Sequence, residues 1–420
     1  MTPLHPDILH HPTSGRECHL NDNYQDTQFR DRMDSISACL DDFLRDIKGR
    51  SASQRASSIP SSITLPMSVL PSTQSVWRSA RKGKPADALD FDENAPVSSN
   101  LADGEILVKV DAAALNPATH KFMGLPGFLY PGRGHVAESD LAGTVVLSKS
   151  TKHPVGERVF GCALITEQTD GNTREGALAQ YTKIPEQWVA TVPEGIKMTA
   201  IAGLATTGLT AYQCLVQHAK IESGQTIFIN GGSSSVGLNC IQIAKLLGCT
   251  VWTSTSSANT DLVKKYGADM VLDYKKQSLH EQLLANPPST KFHAFIDTVG
   301  SMDLTLYVHS TSYLQPNGIF VTVMGGPSAK TLPGIFVEVL SFLWARRPVL
   351  LGGVNRRWVQ QMVETRESEL AQLSQWVAEG KLQLVVDSVF EYKNVLQAYD
   401  RIMTGRARGK IVVRVNPDAE

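Results

Sequence analysis

The sequence predicts an α/β fold in which a doubly wound domain accompanies a β-rich part. Three observations carry this. Thr226 to Gly237 (TIFINGGSSSVG), the run LNCIQIAKLLG and the apolar piece Cys249 to Thr253 read as strand, tight glycine turn, helix and strand. After about Met198, strand-like and helix-like stretches alternate, with Met270 to Asp273, Ala294 to Asp297 and Gly318 to Val323 as further short apolar strands. From Met67 onward, strand-like pieces at Ser75 to Arg78, Glu105 to Val110, Asp140 to Leu147 and Glu157 to Phe160 are separated by glycine and proline.

The glycine turn is the most informative of these. Ile227, Phe228 and Ile229 form a continuous apolar run suited to a parallel strand buried on both faces. Gly231 and Gly232 permit a turn that a side chain would obstruct. Val236, Ile241, Ile243, Ala244 and Leu247 recur at roughly helical spacing, so a helix is expected from near Ser235. Its unpaired N–H groups and positive dipole end would face the turn, where the pyrophosphate of a dinucleotide could sit. Ser234 replaces the usual middle glycine, and many strand-helix joints use glycine for packing alone, so the turn is not specific by itself. Hydroxyls of Ser233 to Ser235 could add donors to a pyrophosphate.

Composition sets outer limits. A chain of 420 residues with 42% hydrophobic residues is long enough for about two or three domains with substantial cores. A net charge of -1 gives no general attraction to nucleic acid or anionic membranes, and no nucleic-acid partner is expected. The six cysteines contain no C-x-x-C pair, which argues against a zinc finger or disulfide scaffold and is compatible with a reducing, cytoplasmic setting. No apolar run reaches ~18 residues, so no spanning helix is expected, and the start lacks a secretory apolar core.

Residues 1–66 read as an extension, with KGRSASQRASSIPSS as a flexible linker. Within it Phe29, Met33, Ile36, Leu40, Phe43 and Ile47 would line one face of a helix over 29–47. Such a helix could pack on the body, form transiently, bind a partner or a second copy, or lie on a membrane surface. Its acids, Asp31, Asp34, Asp41, Asp42 and Asp46, disfavour a mitochondrial presequence.

LVKVDAAALNPATHK, SDLAGTVV, VGERVFG, EGALAQYTKIPEQWVATVPEGI, GLTAYQCL, the glycine turn, KKYGADMVLDY, FIDTVG and GRARGKIVVRV follow in the order and spacing of the medium-chain dehydrogenase/reductases. Over about 67–415 the chain most resembles the zinc-independent quinone oxidoreductase and enoyl reductase branch, particularly its fungal members. The resemblance implies a GroES-like β-rich catalytic domain, 67–197 plus 358–420, with a Rossmann domain inserted at 198–357 and the substrate cleft between them.

The residues matching the family's catalytic zinc ligands are Asn116, Ser139 and Gly203, poor ligands for zinc, and the structural zinc lobe is missing; no metal is expected. His135 is out of register with the second ligand and reads as a loop or pocket-rim residue. Without a metal Lewis acid, alcohol oxidation loses its means of stabilising an alkoxide, while hydride reduction of a quinone, enone or enoyl acceptor remains feasible.

Cofactor choice follows from the segment after the second Rossmann strand. It reads Thr253, Ser254, Thr255, Ser256, Ser257, Ala258, Asn259, with no acid before Asp261. An acid there would hold ribose hydroxyls and repel a 2′-phosphate, so NADP(H) is expected. By resemblance Tyr274 would close over that phosphate with Ser256 and Asn259 beneath; the family's frequent lysine near Asn259 is absent.

The resemblance also places Thr207, Val299, Gly300, Met324 and Gly325 at the nicotinamide end and counts Lys410 with the cofactor residues. Asn116 and Lys121 would run along the cleft, Asn116 holding substrate or ribose and Lys121 donating to a developing oxyanion. Phe336 to Trp344, with Arg346 and Arg347, is expected as a helix at the cleft, at a subunit interface or on a membrane surface, and a homodimer fits the family. The competing reading is a non-catalytic nucleotide-binding scaffold or accessory protein working through the 29–47 helix.

Overall fold

The computed structural model describes residues 70–124, 134–164, 175–301, 303–323 and 332–419, all within one compact unit, Ser62–Glu420. The extension 1–66, with its expected 29–47 helix, and Met324 and Gly325 lie outside the described residues.

Strands β1 (Thr73–Ser79), β2 (Leu89–Pro96), β3 (Glu105–Ala114), β4 (Asp140–Ser148), β5 (Arg158–Cys162), β6 (Tyr181–Pro185) and β7 (Val189–Thr191) come from the first half. Then follow β8 (Thr226–Asn230), β9 (Thr250–Thr255), β10 (Met270–Asp273), β11 (Phe292–Asp297), β12 (Leu314–Val323) and β13 (Arg357–Gln361), and last β14 (Val386–Glu391) and β15 (Lys410–Arg414). The helices used below are α1 (Pro117–Met123), α2 (Leu204–Tyr212), α3 (Ser235–Leu246), α4 (Leu332–Ala345), α5 (Glu367–Ala378) and α6 (Val395–Met403).

Six strands form a parallel sheet in the order β10-β9-β8-β11-β12-β13, the doubly wound arrangement expected. Because strand side chains alternate between faces, β8 buries Ile227 and Ile229 against α3 residues Leu238 and Ile241, and Phe228 on the other side. There a row forms in direct register: Trp252 opposite Phe228, Phe228 opposite Phe295, Phe295 opposite Phe320 and Phe320 opposite Trp358. Phe295 stacks on both Phe228 and Phe320 with centroids 4.6 Å apart. Each such pair contributes roughly 0.5–1.5 kcal/mol beyond burial, and a one-residue slip of any strand would break the row.

The second sheet runs β14-β15-β3-β4-β5-β7, with β6 also on β3. The chain's last strands thus return to a sheet built mainly by its first half, Val412 pairing with Ala114 and Val413 with Ala113. The expected domain boundary at 357/358 falls at the start of β13, which belongs to the parallel sheet, so the crossing back follows Gln361. That crossing is clamped. The π-helical segment Gln213–His218 extends α2, and Gln213 Nε2 donates to Glu369 of α5 (2.6 Å) and to the Glu364 carbonyl (2.8 Å). Gln361 Nε2 in turn donates to Gln213 Oε1 at 2.6 Å. Helix α4 covers the expected Phe336 to Trp344 run and leaves Phe336, Leu343 and Trp344 exposed. Among the described residues no helix is long and apolar enough to cross a membrane.

Glu138, just before β4, holds the C-terminal helix against the second sheet. Its backbone is left-handed (φ 62°), uncommon for a residue with a side chain, and its carboxyl is buried. Oε1 accepts from the Tyr399 hydroxyl of α6 (2.6 Å), and Oε2 from Thr119 Oγ1 (2.9 Å) and the Asn116 N–H (3.0 Å). Burial outweighs these donors and the nearby Lys410 charge, pushing the carboxyl up from 4.5 to about 7.

The unfolded chain ionises this group near 4.5 while the native chain keeps its proton to about 7. Its contribution to stability is therefore fully present below the lower value and lost as pH rises through the upper one. Denaturant unfolding at pH on either side of that window checks this. Wild type should lose on the order of 2–3 kcal/mol more than Glu138→Gln across it, and parallel pH profiles would contradict the assignment.

Candidate active site

Two residues beyond the aromatic row, at the carboxyl ends of the parallel strands, the same face turns polar. Ser254 Oγ donates to Asn230 Oδ1 (2.6 Å), Asn230 Nδ2 to Asp297 Oδ1 (2.8 Å) and Thr322 Oγ1 to Asp297 Oδ2 (3.0 Å). This ladder crosses β9, β8, β11 and β12 and fixes the loops leaving them. Ser254 Oγ also accepts the Gly231 N–H (2.9 Å), and Asp297 Oδ1 that of Val299 (3.2 Å). Burial raises the Asp297 carboxyl against the donors that surround it. Of these four, the sequence points to Ser254 alone, as part of the run after the second Rossmann strand, although Asn230 and Asp297 are visible as polar ends of apolar strands.

The turn after β8 is a cradle that side chains would fill. Gly231 has φ 81°, and a Cβ there would meet Thr298 Oγ1 and Val299 Cγ2 at 2.9 Å. A Cβ on Gly232 would strike Thr253 Oγ1, and one on Gly237 the Gly231 carbonyl. Helix α3 starts at Ser235 as expected, with Ser234 as its N-cap, Oγ accepting the Gly237 N–H at 2.9 Å. The N–H groups of Ser235 and Val236 in the first turn have no partner within the helix.

The three serine hydroxyls divide differently from expectation. The Thr298 hydroxyl donates to the Asn230 carbonyl (2.7 Å), so its 3.0 Å contact with Ser234 takes the Ser234 proton. Ser235 Oγ donates to Thr207 Oγ1 (3.3 Å). Only the Ser233 hydroxyl proton stays free, since Ser233 Oγ accepts from Thr255 Oγ1 (3.0 Å) and Asn259 Nδ2 (3.2 Å). Intramolecular bonds therefore engage Ser234 and Ser235, correcting the expectation that all three hydroxyls face a pyrophosphate.

Ser233, Thr255 and Asn259 thus meet at the end of β9, beside the buried Ser256. Asn259 Oδ1 is buried with no hydrogen-bond partner, the kind of atom a bound ligand's hydroxyl satisfies. Tyr274 is 52% exposed, its N–H on the Thr255 carbonyl at 3.4 Å. Asp273 carries an acid close to this corner, but its carboxylate is held by the N–H and hydroxyl of Ser257 and by the Lys275 N–H, which keep its pKa below the usual range. A nucleotide fits this arrangement: the cradle, the helix start and an unpaired buried acceptor lie along one edge.

A second cluster lies between the sheets. Lys410, only 3% exposed, donates from Nζ to Asp140 Oδ2 (2.7 Å) and Asn116 Oδ1 (2.6 Å). Asn116 Nδ2 donates to the same Asp140 oxygen (2.9 Å) and toward Glu138 (3.4 Å). Asp140 Oδ1 accepts the Thr206 N–H of α2 (2.9 Å). The methylenes of Lys410 run past Gly203, where any Cβ would collide with them.

The hydroxyl of Thr207, next in α2, is contacted by Ser235 and by Asn239 Nδ2 (3.1 Å) of α3. Gly409 bridges to Ser234. Asn116, Lys410, Thr207, Ser234 and Ser235 are thereby strung on one chain of contacts.

Lys410, counted with the cofactor residues, pairs here with Asp140 and Asn116, and the amide hydrogens of Asn116, expected to hold substrate or ribose, point to Asp140 and Glu138. Asp140, the centre of the cluster, was missed, though it sits in SDLAGTVV.

Lys121 is exposed on α1. Its neighbour His120 has a buried Nδ1 without a partner, and burial plus the Lys121 charge lower its pKa to about 4, so it is neutral near pH 7 and no imidazolium acid. Val299 is 56% exposed and Gly300 has φ 63° at the mouth of the ladder. Among the described residues no group of three or more His, Cys, Asp or Glu side chains is arranged to hold a metal ion.

Comparison with known proteins agrees with this architecture. An alcohol dehydrogenase GroES-like domain model matches residues 102–194, and a zinc-binding dehydrogenase model matches 266–413. The trans-enoyl reductase pgmF of Aspergillus terreus is 37% identical over 358 residues, spanning 83% of this chain and 98% of that protein. The trans-enoyl reductase poxH of Penicillium oxalicum is 31% identical over 393 residues, spanning 82% and 99%. Among solved structures, the quinone oxidoreductase from Coxiella burnetii superposes with a TM-score of 0.65 at 26% identity, over 82% of this chain and 99% of that one. With its GroES-like domain, its nucleotide-type parallel sheet and these relatives, the chain belongs to the medium-chain dehydrogenase/reductase family and is an oxidoreductase of the enoyl reductase-like kind.

Proposed function

We propose that the chain is an NADPH-dependent reductase that acts on a quinone, enone or enoyl-type acceptor without a catalytic zinc ion. The observation that carries this reading is the buried Lys410 ammonium bonded to Asn116, with its stem packed on Gly203. Those are two of the three positions at which the family's zinc ligands are expected, and a cation already lies beside them. An amide oxygen facing an ammonium and a residue with no side chain do not make a zinc donor set. A conjugated acceptor needs no Lewis acid, because it delocalises the arriving charge itself. Relatives named as trans-enoyl reductases favour the enoyl acceptor within this class.

The N–H groups of Ser235 and Val236 and the cradle of Gly231, Gly232 and Gly237 would hold the pyrophosphate. Ser233, Ser256 and Asn259, with Tyr274 above, would take the adenosine 2′-phosphate, and Thr207, Val299 and Gly300 would line the nicotinamide end, together with Met324 and Gly325. When bound, the cofactor supplies the hydride. Lys121, exposed on α1, is the group that would donate to the oxyanion developing on the acceptor. A homodimer, as expected for the family, is the assembly proposed for the chain.

NADPH consumption measured against a panel of quinones, enones and enoyl thioesters tests the whole reading; turnover with NADH at least as efficient as with NADPH overturns the cofactor assignment. Ser256→Asp should weaken NADPH on the order of tenfold to a hundredfold while leaving NADH nearly unaffected, because a buried carboxylate would face the phosphate. Lys121→Met should lower turnover by roughly tenfold or more with NADPH affinity unchanged, and wild-type turnover in that variant removes Lys121 from the mechanism.

A further inference from the structure

A cavity of about 160 Å³ opens at the amino-terminal edge of the parallel sheet, where β8, β11 and β13 begin. The glycine turn leaves β8 at its opposite end. Five residues of strand separate the two, about 15 Å at the usual rise per residue.

The lining is rich in donors and free of carboxylates. The side chains of Lys220 and Arg357, both exposed, make no hydrogen bond or ion pair among the described residues, so two full positive charges stand unneutralised at its rim. Gln225 uses its Oε1 to accept the Glu222 N–H (3.1 Å), which leaves its amide hydrogens free. Among the described residues Asn317 has no side-chain bond either. His218 is anchored through Nε2 to Gln361, leaving Nδ1 without a partner, and His293 is fixed by Gln315 Nε2 at 3.1 Å.

The backbone is also unusual at this point. Lys220 has φ 48°, a left-handed conformation that costs a residue with a Cβ, directly after the π-helical segment Gln213–His218. A chain that only needed to turn here could use glycine. This one holds a lysine in the strained conformation, beside the other donors.

We infer that this cavity is a second anion site, separate from the nucleotide edge, that takes a phosphate-type dianion. A tetrahedral dianion matches the inventory. Its charge balances Lys220 and Arg357, its oxygens accept from the ammonium, the guanidinium fork and the two amides, and it needs no carboxylate: a monoester dianion has no donor, and the single O–H of hydrogen phosphate can face solvent at the rim. The ligand chemistry is the same for free phosphate and for a phosphate monoester carried on a larger molecule. The open rim leaves room for either.

The test is calorimetric titration of the full chain with inorganic phosphate at constant ionic strength, with and without saturating NADPH. Saturable binding of one phosphate per chain is expected with NADPH bound, weakened at least tenfold by the double variant Lys220→Met/Arg357→Met. Because both side chains are exposed and make no hydrogen bond or ion pair among the described residues, that variant should keep the wild-type near-ultraviolet circular dichroism and NADPH affinity. Phosphoserine as a second titrant separates the sources: affinity within about threefold of phosphate assigns the site to a phosphate borne by a larger molecule, and weaker binding assigns it to the free ion. The inference is overturned if the double variant binds phosphate as tightly as wild type, if NADPH abolishes the binding, or if chloride at matched ionic strength gives the same heats.

Discussion

The buried pair of Lys410 and Asp140 constrains the rest of the molecule. Taking an ammonium and a carboxylate out of water costs several kcal/mol per ion, and their attraction offsets this only when the remaining hydrogen-bonding capacity is filled. Here it is. Asp140 receives Lys410, the Asn116 amide and the Thr206 N–H, while Lys410 also meets Asn116 Oδ1. Each partner comes from a different element, so the pair sets how the end of β3, β4, β15 and the start of α2 meet. Losing one member would strand the other charge, a change that typically costs about 3–5 kcal/mol. Gly203 follows from the same constraint, since a longer residue would displace the lysine stem.

That cluster matters to the nucleotide edge through short links. Gly409 bridges to Ser234 while the next residue points its ammonium at Asn116, so one step along β15 spans the distance between the cofactor turn and the inner face of the cleft. Thr206 and Thr207 do the same along α2, the first bound to Asp140 and the second touched by Ser235 and Asn239. The parallel sheet supplies the other half of the positioning. Its aromatic row locks register by packing, and two residues later the same register delivers Ser254, Asn230, Asp297 and Thr322 side by side. A shift of any of these strands would break the ladder that holds the glycine turn.

Much of this was legible in the sequence, because periodicity is a local property. Met270 to Asp273 is a strand with those bounds, the helix begins at Ser235, and the apolar run at Ile227 to Ile229 is buried on both faces. Short pieces without a strong pattern, such as β7 and β13, were not legible, since only their neighbours make them strands. Side-chain roles were less legible still. Lys410 could be named as a site residue from its motif, but its direction depends on Asp140, 270 positions away in the chain. Asn116 is polar at the right place, and only the folded chain reveals that its amide is fully engaged.

Ser234 shows how a departure from a motif can preserve its purpose. A glycine at that position would leave the first turn of α3 uncapped. The serine hydroxyl accepts the Gly237 N–H, and its own proton joins Thr298, tying the helix start to the loop after β11. A capping hydroxyl of this kind is worth about 1 kcal/mol relative to alanine but only a few tenths relative to glycine, so helix stability alone explains little of the choice. The link to Thr298 explains more, because Thr298 also bonds the Asn230 and Gly231 carbonyls and so closes a ring around the turn. With Ser234 and Ser235 turned inward, the donors left to the proposed pyrophosphate site are the N–H groups of Ser235 and Val236 and the hydroxyl of Ser233. Backbone donors at a helix start need no reorganisation when an anion arrives. The serine-rich turn is therefore a stiffened version of the glycine-rich one, with hydroxyls holding shape where glycines would only permit it.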